Sequence, residues 1–220
     1  MNWNTPEAVA GFSASPPNAM LIAFADAERR LRPQPRALDI GCGAARNAVP
    51  LARSGWEVLG TDASWPMLEA ASRRREAEGL AARLHLAQAS MTELPVGDNS
   101  ADLIVAHGIW NLAGSSAEFR RGVREAARAG KPGAALFVFT FSRHTLPEDV
   151  TSLAGEPFVF TQFAGEPQCF LTREQLLDEL ANAGFVPDDA IPLRELNRPS
   201  GILQRPSGPV IYEGTFRLTG

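Results

Sequence analysis

Residues 38–47 form the stretch Leu38-Asp39-Ile40-Gly41-Cys42-Gly43-Ala44-Ala45-Arg46-Asn47. A short apolar run leads into it and a segment of helical periodicity follows. We therefore predict a turn between a first strand, residues 37–40, and a helix, residues 44–54. Glycines in such a turn let the backbone approach a ligand closely, and the helix that follows offers free backbone N–H groups. The stretch predicts a ligand-binding loop at the carboxyl end of a strand.

The side chains around this loop bear on the kind of ligand. A dinucleotide-binding fingerprint has a third glycine three residues after the second, and Arg46 occupies that place. Asp39 puts a carboxylate at the strand end, which suits a ligand with a positive ammonium group better than one with a pyrophosphate. Asp62, which ends the predicted second strand, can accept hydrogen bonds from both ribose hydroxyls of a nucleoside. The alternative for Asp62 is the N-cap of the next helix.

The rest of the chain alternates short apolar runs with longer helical segments, which is typical of a parallel sheet built from βαβ units. The predicted strands after the first are residues 57–61, 84–87, 102–106 and 134–141. The predicted helices after the first are residues 67–78 and 117–129. We expect an α/β, Rossmann-like three-layer sandwich with a mostly parallel seven-stranded sheet.

The alternation stops after Ser142 and resumes near residue 172. The segment between them contains the repeat Ala-Gly-Glu-Pro at residues 154–157 and 164–167, which predicts two turns flanking a short strand. Thr172 and Gln175 match a capping box at the start of a further helix. Residues 191–196 and 210–218 are predicted to form an antiparallel hairpin at the sheet edge.

Two segments are thus predicted. Residues 1–35, with a helix at 18–31, form an N-terminal arm over the ligand site. Residues 36–220 form one α/β domain with a loop insertion at about residues 143–171.

Composition excludes several classes of function. The 220-residue chain has a formal net charge of -4, whereas nucleic-acid-binding proteins usually carry a strongly basic surface. No apolar run approaches the roughly 18 residues that span a bilayer. The two cysteines, Cys42 and Cys169, form no ligand cluster, so we expect no metal site and a reducing, cytoplasmic location.

Five segments in the same order and spacing resemble the class I S-adenosylmethionine-dependent methyltransferase superfamily. Residues 38–47 match its first motif, and Asp62 its acidic second-strand position. The other three segments are residues 89–95, 98–105 and 128–134, which resemble the third-strand, fourth-strand and fifth-strand motifs. The resemblance implies a Rossmann-like fold, S-adenosylmethionine as cofactor and transfer of its methyl group by in-line displacement.

The resemblance also implies which residues meet the cofactor. Asp39, Gly41 and Gly43 would line the methionine part and Asp62 the ribose. Met91 would meet one face of the adenine, and Ala63 or Ser64 the other face. The complete set predicted to contact the cofactor is Asp39, Gly41, Cys42, Gly43, Asn47, Asp62, Ala63, Ser90, Met91 and His107.

Two positions depart from the family pattern. Ala45 replaces a third glycine, and Ser90 replaces an aspartate that accepts a hydrogen bond from the adenine amino group. A cofactor-sensing homologue without catalysis therefore remains an alternative, as does an NAD-dependent oxidoreductase.

The acceptor of the methyl group is not encoded in a motif. Short insertions and the acidic balance favour a small molecule, with O, N, S and metalloid acceptors all open, and a monomer or homodimer without nucleic-acid or membrane partners. His107, directly after the fourth strand, is the candidate general base, with a packed, hydrogen-bonded histidine as the alternative. The candidate acceptor contacts are Trp110, Asn111, Arg143 and His144.

Overall fold

The computed structural model describes residues 3–198 and 208–220, and its centre is a mixed sheet. Five parallel strands form most of it: β1 (Arg36–Ile40), β2 (Glu57–Asp62), β3 (Leu84–Gln88), β4 (Ala101–His107) and β5 (Gly130–Phe141). A separate two-stranded hairpin consists of β6 (Val159–Phe160) and β7 (Gln168–Cys169). Three further strands complete the main sheet: β8 (Phe185–Pro187), β9 (Arg194–Leu196) and β10 (Ile211–Leu218). The strand order is β3-β2-β1-β4-β5-β10-β8, with β9 also paired to β10.

Helices cover both faces of the sheet, as predicted for an α/β sandwich. They are α1 (Pro6–Ala14), α2 (Ala19–Arg29), α3 (Ala48–Ser54), α4 (Trp65–Ala77), α5 (Ser116–Ala129) and α6 (Arg173–Ala181). One core lies between the sheet and α5 and α6, and a second lies between the sheet and α2 and α3. Alternate residues of β1 enter the two cores, with Leu38 and Ile40 in the first and Ala37 in the second. This alternation is what a strand buried on both faces requires.

The antiparallel part of the sheet is larger than predicted. β10 is antiparallel to β5, but it lies between β5 and β8 rather than at the edge. Its residues are buried almost without interruption, from Ile211 to Phe216, because neighbours cover it on both sides. The sequence analysis missed β8, which has only three residues and no alternating pattern to reveal it.

Two local predictions can be compared with the structure in detail. The capping box of α6 is confirmed, since the Thr172 hydroxyl accepts from the backbone of Gln175 and the Gln175 side chain accepts from the backbone of Thr172. The helix predicted at residues 44–54 begins four residues later than predicted, at Ala48, because Ala45 adopts a left-handed conformation with φ of 59°. Helix α1 was not predicted.

Among the described residues, no single helix is long and apolar enough to cross a membrane. Helices α1 and α2 reach the required length and apolar composition only when they are taken together, and a 60° bend separates them.

A buried ion-pair cluster fastens α2 to β10. The Glu28 carboxylate is 4% exposed and accepts hydrogen bonds from Arg32 at 2.6 Å and from Arg217 at 2.7 Å. Burial alone raises the pKa of Glu28, but the two arginines outweigh it and the net pKa is lowered. The carboxylate is therefore ionised in the folded protein.

We predict that Glu28→Ala lowers the free energy of unfolding by about 2–3 kcal/mol, because it leaves two arginines without their buried partner. Urea unfolding would measure the change. The control is Arg36→Ala, which breaks an ion pair with Glu57 whose side chains are 52% and 51% exposed and should change stability by less than about 1 kcal/mol. Equal losses in the two variants would contradict a special role for the buried cluster.

Candidate functional site

A cavity of about 500 Å³ opens at the carboxyl edge of the parallel strands. It lies at the end of β1, whose neighbours in the sheet are β2 on one side and β4 on the other. The strand order therefore changes direction at this point. Ligands of open α/β sheets bind at this kind of switch point, and the volume is within the usual range of ligand pockets. The ten residues predicted to contact a cofactor all line this cavity: Asp39, Gly41, Cys42, Gly43, Asn47, Asp62, Ala63, Ser90, Met91 and His107. Their individual contacts with a ligand stay predictions.

The most unusual group in the cavity is the carboxylate of Asp39. The residue is 2% exposed, and its Oδ2 atom has no hydrogen-bond partner among the described residues. Burial, together with the nearby charge of Asp62, raises the pKa of Asp39 to about 7, although Arg46 acts in the opposite direction. A buried acceptor without a partner costs free energy unless something binds it. A cationic ligand group would supply the missing partner.

Arg46 contributes the positive charge of the site. Its guanidinium interacts electrostatically with Asp39, and its Nη2 atom lies 3.1 Å from Nδ1 of His107. Burial lowers the pKa of Arg46, and Asp39 partly compensates. The sequence analysis used Arg46 only as a departure from the dinucleotide fingerprint. Its place in the ligand-binding turn was the signal that it also lines the cavity.

Asp62 joins the loops that follow β1 and β2. One carboxylate oxygen accepts from the backbone of Gly43 at 2.8 Å, and the other accepts from the backbone of Ser64 at 2.8 Å. Burial raises the pKa of Asp62, although these backbone hydrogen bonds lower it in part. The N-cap of α4 is Ser64, whose hydroxyl accepts from Met67, so the alternative of an N-cap at Asp62 is excluded.

The turn after β1 is tight and partly strained. A Cβ atom at Gly41 would lie 2.7 Å from the Ile109 side chain, so only glycine fits there. Gly43 and Ala45 both have positive φ, of 53° and 59°. For alanine the left-handed conformation costs roughly 1 kcal/mol or more. Ala45 thus occupies a conformation that favours glycine, at a cost in stability.

His107 is held neutral in the floor of the cavity. Its ring stacks on Phe139 with 4.1 Å between centroids, and burial followed by the charge of Arg46 lowers its pKa to about 3. Both ring nitrogens face donors: Nη2 of Arg46 is 3.1 Å from Nδ1, and the side-chain amide of Asn18 is 3.2 Å from Nε2. Such a histidine is a poor base at neutral pH. The surroundings favour the alternative of a packed, hydrogen-bonded histidine.

The N-terminal segment closes one side of the cavity. Trp3, Asn4 and Phe12 line it, and the Ser64 hydroxyl donates to the Asn4 side chain at 2.7 Å. Asn18 caps α2, donates its backbone N–H to Asn47 at 3.0 Å and donates its side-chain amide to Glu213 at 2.6 Å. Sequence reasoning missed these contacts because they join positions far apart in the chain.

Of the remaining predicted residues, Ser90 lines the cavity and the four candidate acceptor contacts do not. Ser90 is exposed, and its hydroxyl bonds to that of Thr92 at 2.9 Å. None of the four predicted acceptor contacts is among the described residues that line the cavity: Trp110, Asn111, Arg143 and His144.

Two of these four side chains are held by contacts within the protein. Trp110 is fully buried against Phe119 in the core. The Arg143 guanidinium donates to backbone carbonyls of the insertion, from Leu146 to Val150, and lies over the Phe160 ring. Within residues 3–198 and 208–220, no group of three or more histidine, cysteine or acidic side chains could hold a metal ion.

Comparisons with known proteins agree with this geometry. Residues 37–133 match the methyltransferase domain family. A demethylmenaquinone methyltransferase of Corynebacterium efficiens is 34% identical over 118 residues, which are 53% of this chain and 46% of that protein. The chain thus spans about half the length of this and similar curated relatives.

Solved structures share the fold at lower sequence identity. The cyclase SpnF superposes with a TM-score of 0.68 at 22% identity, covering 90% of this chain and 80% of SpnF. The 1,6-didemethyltoxoflavin-N1-methyltransferase of Burkholderia thailandensis, solved with its substrate and S-adenosylhomocysteine, superposes with a TM-score of 0.66 at 18% identity, covering 92% and 79%. Residues 37–133 thus match a methyltransferase domain, and the chain shares its fold with solved S-adenosylmethionine-dependent methyltransferases.

The raised pKa of Asp39 predicts how stability depends on pH. An unfolded aspartate ionises near pH ~3.9, whereas Asp39 ionises at about 7 in the folded protein. The stability associated with the protonated carboxyl is therefore complete below the unfolded pKa and lost as pH rises through the folded pKa. The stability of Asp39→Asn relative to wild type should therefore increase by about 2–3 kcal/mol between pH 5 and pH 8.

Urea unfolding of both proteins at the two pH values measures this difference. Asp189→Asn, at an exposed position, is the matched control and should change neither value. A constant offset between wild type and Asp39→Asn across this pH range would contradict the assignment.

Proposed function

We propose that the protein is an S-adenosylmethionine-dependent methyltransferase that acts on a small-molecule acceptor. The observation that carries the proposal is that the buried Asp39 and the half-buried Arg46 lie in one cavity, with Oδ2 of Asp39 unpaired among the described residues. An amino-acid end, with one ammonium and one carboxylate group, complements such a pair. Nicotinamide dinucleotides offer no ammonium group to Asp39.

The residues present fit the remaining parts of this cofactor. Each oxygen of Asp62 accepts one backbone hydrogen bond and retains a lone pair for a ribose hydroxyl. Met91, which is 9% exposed, offers an apolar surface for adenine, and Ala63 lies on the same wall of the cavity. Ser90 offers one hydroxyl where the superfamily has an aspartate.

When bound, S-adenosylmethionine supplies a methyl group that its sulfonium has already activated. The work of the protein is therefore alignment and exclusion of water. Asp39 and Arg46 fix one end of the ligand, and Asp62 fixes the middle. The N-terminal arm, residues 1–35, covers the cavity through Trp3 and Phe12 of its described part.

The proposal also covers the methyl acceptor, the binding partners and the cellular location of the protein. Relatives and structural neighbours are named for small-molecule substrates, and demethylmenaquinone belongs in an acceptor screen for that reason. The formal net charge of -4 argues against nucleic acid as a partner. Cys42 and Cys169 are free and buried, in agreement with a reducing cytoplasm. We propose a monomer or homodimer without a membrane partner.

Binding measurements test the proposed function against its two rivals. Adenosylhomocysteine at about 100 times its Kd should raise the Tm by about 5–10 °C, whereas NADH should not. Asp39→Asn should weaken adenosylhomocysteine binding at least about tenfold, and Asp189→Asn should bind as wild type does. A Tm rise with NADH alone would indicate an oxidoreductase. Binding of adenosylhomocysteine without methylation of any acceptor would indicate a cofactor sensor.

Restoring the superfamily aspartate gives a further prediction. Ser90→Asp should tighten adenosylhomocysteine binding about fivefold, since a charged acceptor forms a stronger hydrogen bond than a hydroxyl. Isothermal titration calorimetry measures this change, and Thr92→Val controls for loss of the Ser90–Thr92 hydrogen bond. Unchanged or weaker affinity in Ser90→Asp would mean that adenine does not use position 90.

A further inference from the structure

The wall of the cavity carries a third carboxylate, Glu118, in addition to Asp39 and Asp62. Glu118 lies in the first turn of α5, and its Oε2 atom accepts from the backbone of Gly114 at 2.8 Å. Its Oε1 atom accepts no hydrogen bond among the described residues. A residue that lines the cavity therefore keeps an acceptor oxygen that no group in the described part of the chain occupies.

The loop after β3, residues 89–95, runs along one face of α5. Near the far end of the loop, Glu125 accepts from the backbone of Leu94 at 3.1 Å. Closer to β3, a Cβ atom at Gly122 would lie 3.5 Å from Cγ of Met91, so the helix backbone contacts the Met91 side chain directly. The contacts thus move toward the N-terminus of α5 as the loop is followed back toward β3.

Glu118 continues this row of contacts. It precedes Gly122 by four residues, which places it on the same face of the helix and about 6 Å further toward the N-terminus. The next residue of the loop in that direction is Ser90. Glu118, Ser90 and Met91 all line the cavity. The free carboxylate oxygen therefore belongs to the same end of the cavity as Ser90 and Met91.

The proposed function places the base of the cofactor at this end. Asp39 and Arg46 take the amino-acid end, and Asp62 takes the ribose. Ala89 donates its backbone N–H to the carbonyl of Asp62 at 3.0 Å, so the loop after β3 begins beside the ribose position. A base joined to that ribose, on the side opposite the amino-acid end, meets this loop and the first turns of α5.

The hydroxyl of Ser90 is already engaged within the loop. It accepts from the backbone of Thr92 at 3.2 Å and shares a hydrogen bond of 2.9 Å with the Thr92 hydroxyl. A hydroxyl has one donor and two acceptor positions, so Ser90 offers a ligand at most one lone pair. The amino group of adenine has two N–H donors. Ser90 alone leaves at least one of them without a partner, which costs free energy in a closed site.

We propose that Glu118 accepts a hydrogen bond from the exocyclic amino group of the cofactor's adenine and so selects a 6-aminopurine over a 6-oxopurine. The inference rests on the proposed function and adds a specificity-determining residue to it. A carboxylate only accepts, so it favours a donor at the 6-position and repels a carbonyl oxygen there. Hydrogen bonds to a charged acceptor are also the stronger kind, so Glu118 supplies what the hydroxyl of Ser90 lacks.

Glu118 also stabilises the N-terminus of α5. Its Oε2 atom accepts from Gly114, and its own backbone N–H donates to the Ser115 hydroxyl at 3.1 Å. Glu118→Gln keeps this cap, because the amide carbonyl oxygen can accept from Gly114 as Oε2 does. The other oxygen becomes an NH2 group, which donates and cannot accept. The substitution therefore reverses the hydrogen bond offered to the ligand while α5 stays capped.

The first measurement compares two ligands by isothermal titration calorimetry. They are S-adenosylhomocysteine and S-inosylhomocysteine, whose base has a 6-oxo group. Glu118→Gln should weaken adenosylhomocysteine about tenfold, and it should shift the ratio of the two Kd values by about 10–100-fold toward the inosyl ligand. The two bases also differ at N1, but that difference is present in both proteins and cancels in the comparison.

Two variants serve as controls. Ser115→Ala removes the N-cap hydroxyl of α5 at a residue outside the cavity lining, and Glu174→Gln makes the same exchange in the first turn of α6. Both should keep the wild-type ratio of Kd values, although Ser115→Ala should lower the Tm. An equal shift of the ratio in Ser115→Ala would overturn the inference, because it would assign the effect to the helix cap.

The second measurement needs no substitution of Glu118. Its probe is the analogue of adenosylhomocysteine with hydrogen in place of the 6-amino group, which keeps the N1 acceptor. The wild-type protein should bind this analogue at least about tenfold more weakly than adenosylhomocysteine. Ser90→Ala should show nearly the same difference. A difference that disappears in Ser90→Ala would assign the amino group to Ser90 and contradict the inference.

The remaining outcomes are equally decisive. Unchanged affinity for adenosylhomocysteine in Glu118→Gln would remove Glu118 from the adenine site. Equal losses on the adenosyl and inosyl ligands would give it a structural role only. Failure of the wild-type protein to bind adenosylhomocysteine would instead overturn the proposed function itself, so the two failures are distinguishable.

Discussion

The pairing of β1 with a parallel neighbour on each side is the constraint on which the site depends. Because β2 and β4 run in the same direction as β1, all three strands end at one edge, and their last residues are Ile40, Asp62 and His107. Three segments distant in sequence therefore bring the carboxylates of Asp39 and Asp62 and the ring of His107 to one cavity. Asp62 reinforces this arrangement by bonding the loops after β1 and β2 to each other.

Much of the fold and of the cavity could be predicted because local patterns encode them. The apolar runs gave the parallel strands, and Asp39 and Asp62 stand at fixed positions relative to strand ends. Contacts over long sequence distances left no such pattern: Asn18 bonds to Glu213 across 195 positions, and Arg46 lies next to His107 across 61. For the same reason, the sequence could nominate His107 as a base but could not show that burial and Arg46 hold it neutral.

Asp39 in the cavity and Glu195 beyond β5 differ in how the protein stabilises their negative charges. In the cavity, burial keeps Asp39 short of partners, which costs stability and leaves a carboxylate ready for a cation. Beyond β5, Glu195 receives hydrogen bonds from both Ser142 and His144, and its charge is stabilised in advance. A carboxylate in the first region thus lacks a partner, whereas the carboxylate in the second region is already hydrogen-bonded within the protein.

The position of β10 has a consequence for biosynthesis. The arm emerges from the ribosome early, yet Asn18 and Glu28 of this segment find their partners Glu213 and Arg217 only after about 190 further residues. Domains commonly fold as units during or after synthesis. A nascent chain that has completed β1 to β5 can pack α2 on α3, but it lacks the contacts of Asn18 and Glu28 with β10. The arm is therefore held by its full set of contacts only after translation has passed the last strand of the sheet.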